Sequence, residues 1–264
     1  MGYACRIHLS NPNPKLEGNE FFQAEEEANT WWGIAICERT FFCELDDFDQ
    51  PFAAKFPDIH APLPRETNSL NDDNNFKTSQ STDSAEDTIR NGGYACIAQA
   101  AWLLDQVFKT IELTDIDAKL IQLDGLDHTL RTFLTIVMEQ SQGKWGKFCT
   151  ANAILIRALF TLHWEILTQV QEMTHCRHKS PEEWRKTSSS ALDTLVNIVE
   201  DIAATQNGHS ISVVESLPPS RAYVMRAALR HIEDAEIKSE TWEQIKTQLE
   251  LSLAQFDHRW GFNV

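Results

Sequence analysis

The chain is short of positive charge. Lys and Arg total 23 against 39 Asp and Glu, a formal net charge of −16 with His neutral. Such a field repels a phosphate backbone, and no Lys/Arg cluster stands against it, which argues against nucleic-acid binding along this chain. Paired cysteines are missing too. The six cysteines stand apart, at 5, 37, 43, 96, 149 and 176, with no Cys-x-x-Cys. That spacing suits buried thiols in a reducing compartment rather than a disulfide framework. No Gly-rich phosphate loop, nucleophile elbow or paired-His metal helix is found. No run reaches ~18–20 uninterrupted apolar residues, so no membrane span is expected. The first residues lack the apolar core of a secretory signal. Strand-like alternation is scarce.

What is present is helical. The apolar fraction of 42% indicates a globular protein, long enough for one large domain or two small ones. The organising stretch is Glu27 to Leu45. Trp31, Ile34, Phe41 and Leu45 lie near one helical face, and Trp32, Ile36 and Cys43 near another. A helix apolar on more than one face is buried by its neighbours. Two adjacent Trp rings each bury ~150–250 Å², which puts this helix in a core, and Gly33 permits close approach of another helix. Glu38 and Arg39 are adjacent, do not face each other on a helix, and are expected to find partners elsewhere or to lie at the rim.

The Trp-Trp helix is expected from about Asn19 to Leu45, after the end of another helix at Met1 to Leu9 and a loop at Asn11 to Pro14. Residues 51–65 hold four prolines and form no regular element. The loop at about 66–90, rich in Asn, Asp, Ser and Thr, reads as solvated or disordered. Helical periodicity resumes from Tyr94 to about Leu113. Thr114 with Asp117 resembles a capping box opening the next helix, whose apolar face continues through Phe133, Ile136 and Val137. Lys147 to Thr174 is the longest clear helix candidate, with Leu155, Leu159, Leu162 and Ile166 in register. Ser180-Pro181-Glu182-Glu183 is a strong helix start, with Leu192, Leu195, Val199 and Ile202 as the stripe that follows and an end near Asn207-Gly208. Leu217-Pro218-Pro219 opens a helix through Tyr223, Ala227 and His231. A last helix, Ser239 to Trp260, places Trp242, Ile245, Leu249, Leu253 and Phe256 inward. The class is all-α, a multi-helix domain with a long solvated loop.

Candidate chemistry is sparse. Asp46-Asp47-Phe48-Asp49 invites comparison with the magnesium-binding aspartates of a terpene synthase, but Gln50 stands where a further Asp is needed. No second metal motif is found, and Asp193 to Glu200 lacks its Ser. A solvated helix exit is the plainer reading; a small acidic activation motif is another. His175-Cys176-x-His178 contains zinc-ligating types without a complementary pair and reads as a polar helix end. Cys37 and Cys43 read as buried thiols. His163 and His231 border apolar stripes and read as satisfied core or rim histidines, because no partner for a catalytic base is evident. The eight Trp residues, 31, 32, 102, 145, 164, 184, 242 and 260, read mostly as core, with a ligand pocket between helices as the alternative. No catalytic, cofactor-binding or metal residue is assigned.

The run TWWGIAICER resembles the Trp-Trp-Gly run in the regulatory domain, the middle homology region, of fungal zinc-cluster transcription factors. Glu38-Arg39 stands where that family commonly has Asp-Arg, and Glu27, Ala28 and Asn29 replace its basic pair. Further matches follow in order: Met1 to His8, Phe56-Pro57-Asp58 to Pro64, Phe160 to Trp164, Ser189 to Asp201, Leu217 through Ala228, and Phe256 to Trp260. Coverage is 1 to about 260, so the C-terminal portion of one regulatory domain is expected over 1–264. The resemblance implies an all-helical regulator of transcription in the nucleus, controlling a pathway or gene cluster. The family's compact cysteine cluster is absent, so no zinc or other cofactor is expected here, and DNA is a partner only if an N-terminal zinc cluster is missing from this sequence. The abrupt apolar start reads like the middle of a domain. Expected partners are therefore proteins: a co-regulator, a full-length relative or a second copy, with no membrane. The alternatives are a helical enzyme or small-molecule-binding protein, or a truncated product without independent function.

Overall fold

Seven α-helices and no strand make up the regular structure among the described residues of the computed structural model. Those residues are 19–43, 52, 54, 56, 63–64, 92–141, 148–171, 173, 178–207, 218–234 and 240–260. The helices are α1 (Asn19–Phe42), α2 (Gly93–Ile111), α3 (Ile116–Ser141), α4 (Cys149–Gln171), α5 (Pro181–Asn207), α6 (Ser220–Asp234) and α7 (Glu240–Trp260). The all-α class expected from periodicity is what is observed. The expected helix at 1–9, the loop at about 66–90 and the acidic stretch Asp46 to Asp49 lie outside the described residues.

The termini follow local chemistry. At α5 the Ser180 N–H donates to Glu183 Oε2 at 2.8 Å, and the Glu183 N–H donates to Ser180 Oγ at 3.2 Å. This is the reciprocal box that the sequence predicts, with Pro181 spared a donor it lacks. At α3 the expected cap is displaced by one residue. Asp115 Oδ1, not the Thr114 hydroxyl, accepts from the Ala118 N–H at 3.2 Å. A carboxylate at this position satisfies an orphan donor and also complements the helix dipole. Gly92, with φ 103°, occupies the left-handed region just before α2, where a side chain would strain the backbone.

The chain divides into two compact units, Met1–Asp105 with Thr132–Asn152, and Gln106–Arg131 with Ala153–Val264. In the first, Trp31, Trp32, Ala35, Ile36, Cys43, Phe56, Leu63 and the alanines 95, 98, 100 and 101 are buried. Small residues along α2 let a helix pack close, and the Tyr94 hydroxyl lies 3.3 Å from where a Cβ on Gly33 would sit. In the second unit, α5, α6 and α7 pack pairwise. The predicted stripes are its core: Leu155, Leu159, Leu162 and Ile166 on α4, Leu192, Leu195 and Val199 on α5, and Ile245, Leu249 and Phe256 on α7 are all buried. Ile202, Trp242 and Leu253 are only half-buried.

Several expectations are corrected. Phe41 is 59% exposed, so α1 is not buried on every apolar face, and Cys37 is exposed whereas Cys43 is buried. Cys37 and Phe41 are four residues apart and share the outward edge of the helix. Among the described residues the longest helix is α5, with 27 residues against 23 in α4. By length and composition Cys149–Gln171 could cross a membrane, but 67% of its most apolar window is buried inside the fold, the character of a core helix.

Candidate functional site

Two buried polar clusters, one in each unit, gather the chemistry-bearing side chains. The first is built on α1. Arg39 Nε donates to Asp105 Oδ1 at 2.7 Å, with both side chains almost wholly enclosed. Its Nη1 donates to Glu38 Oε2 at 2.7 Å, and its Nη2 to the Ala54 carbonyl at 3.1 Å. Glu38 Oε2 also accepts from the Ala54 N–H at 3.0 Å. Adjacent residues that were not expected to meet therefore do meet. The guanidinium is long enough to turn back along the helix, and both head groups converge on the main chain of one residue, Ala54.

Around this clamp Phe52, Ala54 and Phe56 lie against α1. Phe52 lies with the Arg39 guanidinium 3.5 Å from its ring centroid, a stacked cation–π contact. The Phe56 ring meets Trp32 at 5.5 Å and Trp31 at 6.4 Å, edge to face in both cases, the arrangement ring quadrupoles favour. Ala54, between them, is buried. Near the middle of α1 the Tyr94 hydroxyl donates to the Asn29 carbonyl at 2.6 Å. Burial, with the nearby Cys37 thiol adding to it, pushes the Tyr94 phenol up to about 12.

The second cluster centres on His163. Its Nδ1 lies 3.3 Å from Ser188 Oγ and its Nε2 lies 3.1 Å from Asp127 Oδ1. Arg131 Nη2 is 3.2 Å from the same Nε2, and Arg131 Nε donates to Asp127 Oδ1 at 2.7 Å. Nε2 thus sits between a donor-only guanidinium and an acceptor-only carboxylate, so a bare nitrogen accepts from Arg131 and a protonated one donates to Asp127. The Ser188 hydroxyl can match Nδ1 either way. Burial works to raise the Asp127 carboxyl, but hydrogen bonds from His163 and Arg131, with their charges, hold it below the ordinary carboxylate range.

Asp, His and Ser in this connectivity form a nucleophilic triad when the hydroxyl faces a substrate. Here the order relative to solvent is reversed. Ser188 is 1% exposed and forms the inner end, whereas Asp127 and Arg131 are the outer members. The cluster ties α3, α4 and α5 together and presents no nucleophile to water.

Of the residues considered from sequence, His163 is a satisfied core histidine with three partners. His231 is half-buried, 3.4 Å from Asp193 and beside the Trp242 ring. Trp31, Trp32 and Trp184 are core; Trp102, Trp164 and Trp242 are half-buried, and Trp164 has Arg157 and Arg230 each within 5.4 Å of its ring. His175, Cys176, Trp145 and the side chain of Trp260 lie outside the described residues, and His178 is exposed. Among the described residues no group of three His, Cys, Asp or Glu is placed to hold a metal. Asp105, Asp127 and Ser188 were not singled out from sequence. For the last two the signal was there: Trp184, Ser188, Leu192, Leu195 and Val199 fall on one helical stripe, and Asp127 precedes Arg131 by four residues.

No protein-family model, no curated protein and no solved structure matches the chain.

Proposed function

We propose that the chain is a helical regulatory domain of the fungal zinc-cluster transcription-factor type, controlling transcription in the nucleus through protein contacts. It has no catalytic step and holds no zinc of its own; any DNA contact comes through a partner or an attached zinc cluster. The observation that carries the proposal is that the run bearing the resemblance, Thr30 to Arg39, is also the structural hub of the first unit. Trp31 and Trp32 receive Phe56, Gly33 faces the Tyr94 hydroxyl, and Glu38-Arg39 grips Ala54 and Asp105. The all-α fold and the order of the further matches along the chain support it. The strongly acidic balance, −16, supports association with proteins rather than with nucleic acid.

The test is a reporter assay. The chain is fused to an unrelated DNA-binding domain and transcription is compared with that domain alone. A several-fold change in either direction is expected. A fusion that reaches the nucleus and leaves the reporter unchanged rejects the proposal.

A further inference from the structure

We infer that the face of α1 bearing Trp31, Trp32, Glu38 and Arg39 is a peptide-recognition site, filled in cis by Phe52-x-Ala54-x-Phe56. In trans it takes a segment of another protein with the same aromatic–small–aromatic spacing. The inference goes beyond the regulatory proposal and does not depend on it.

Three features of the contact are those of recognition. First, Glu38 and Arg39 read the N–H and C=O of Ala54, groups that any non-proline residue carries. Main-chain reading of this kind supplies affinity in peptide-binding sites while pockets for alternate side chains supply specificity. Second, the two anchors are aromatic and two residues to either side of the clamp: Phe56 against the two Trp rings, Phe52 on the Arg39 guanidinium. Large rings beside an Arg are the composition of binding hot spots. Third, Ala54 is buried, so the central position admits only a small side chain. The chain's net charge of −16 disfavours an acidic partner segment, so the segment is neutral or basic. The cis run itself carries one charge, Lys55. Because a tethered segment competes at an effective concentration on the order of millimolar, the site is masked in the wild-type chain and opens when the cis contacts are weakened.

The probe is a fluorescein-labelled peptide of residues 51–57, PFAAKFP, titrated by anisotropy into the full-length chain. Phe52→Ala and Phe56→Ala chains, with helix content checked by circular dichroism, should bind it at least tenfold more tightly than wild type. A peptide with both Phe replaced by Ala should bind at least tenfold more weakly, and Arg39→Lys should abolish the gain. If Phe56→Ala loses helix content, Phe52→Ala decides, since that ring is only half-buried. If both lose it, wild type decides: a saturable change in tryptophan emission with millimolar peptide supports the site, and no change overturns it. Equal, weak binding by wild type and a folded variant also overturns it. So does variant dimerisation in sedimentation velocity, which assigns the face to a second copy instead.

Discussion

Arg39 and Asp105 are 66 residues apart in sequence, yet the guanidinium Nε and carboxylate Oδ1 lie 2.7 Å apart with their side chains 3% and 1% exposed. An ion pair this enclosed contributes little beyond a well-packed apolar pair, but removing one member leaves the other charge desolvated.

Arg39→Met should therefore destabilise the chain by about 3–5 kcal/mol. Arg39→Lys should recover only part of that loss, because an ammonium cannot reach Asp105, Glu38 and the Ala54 carbonyl in one planar fork or stack on Phe52. Urea denaturation of the three chains checks the order. A Lys chain as stable as wild type removes the fork from the account.

The His163 cluster gives a pH-dependent prediction. The Asp127 carboxyl is held below its unfolded value, so its contribution is present above the unfolded pKa of about 3.9 and is lost as pH falls through the folded value. Asp127→Asn should cost about 1.5–3 kcal/mol near neutrality, and the gap to wild type should close below about pH 4. Thermal melts from pH 7 down to pH 3 measure it. A gap that stays constant across that range assigns the cost to shape rather than to charge.

At the alkaline end Tyr94 behaves in the opposite sense. Its phenol is raised to about 12, so its contribution is full below about 10, the unfolded value, and is lost as pH rises through 12. In an ultraviolet titration Tyr94 should ionise late, near 12 rather than near the ordinary tyrosine value of about 10. Tyr94→Phe should remove that late step and cost about 1 kcal/mol at neutral pH through the lost bond to Asn29.

Two helical glycines should answer oppositely to Ala. A Cβ on Gly125 meets nothing within 4 Å, and that residue is exposed in α3, so Gly125→Ala should stabilise by about 0.5–1 kcal/mol. On Gly33 the Cβ would press on a Tyr94 hydroxyl already fixed by a 2.6 Å bond, so Gly33→Ala should gain no stability or lose it. Melting temperatures of both variants decide.

The helices were legible because periodicity and capping are local. Ser180 with Glu183, and the stripe from Leu155 to Ile166, stand as read. The clusters were less so. An apolar stripe says which side of a helix is inward, not which residue dozens of positions away will face it, so Asp105 was invisible as the partner of Arg39. His163 was recognised as a stripe residue, but Asp127 and Ser188 lie on other helices. The rule that neighbours i and i+1 do not face each other describes Cβ directions. It failed for Glu38 and Arg39 because long side chains converge on a third group. Phe41 and Cys37 misled for the converse reason: on a helix with few charges, the outward edge is also apolar.

Because the α1 clamp grips main-chain atoms, it divides the chain's tolerance of change unevenly. At position 54, saturation mutagenesis should accept Gly, Ser and Ala alike, refuse Pro for want of an N–H, and refuse bulky residues for want of space. At position 39, only Arg should keep full stability. A site that reads a backbone leaves freedom to the segment it holds and places the constraint on the holder.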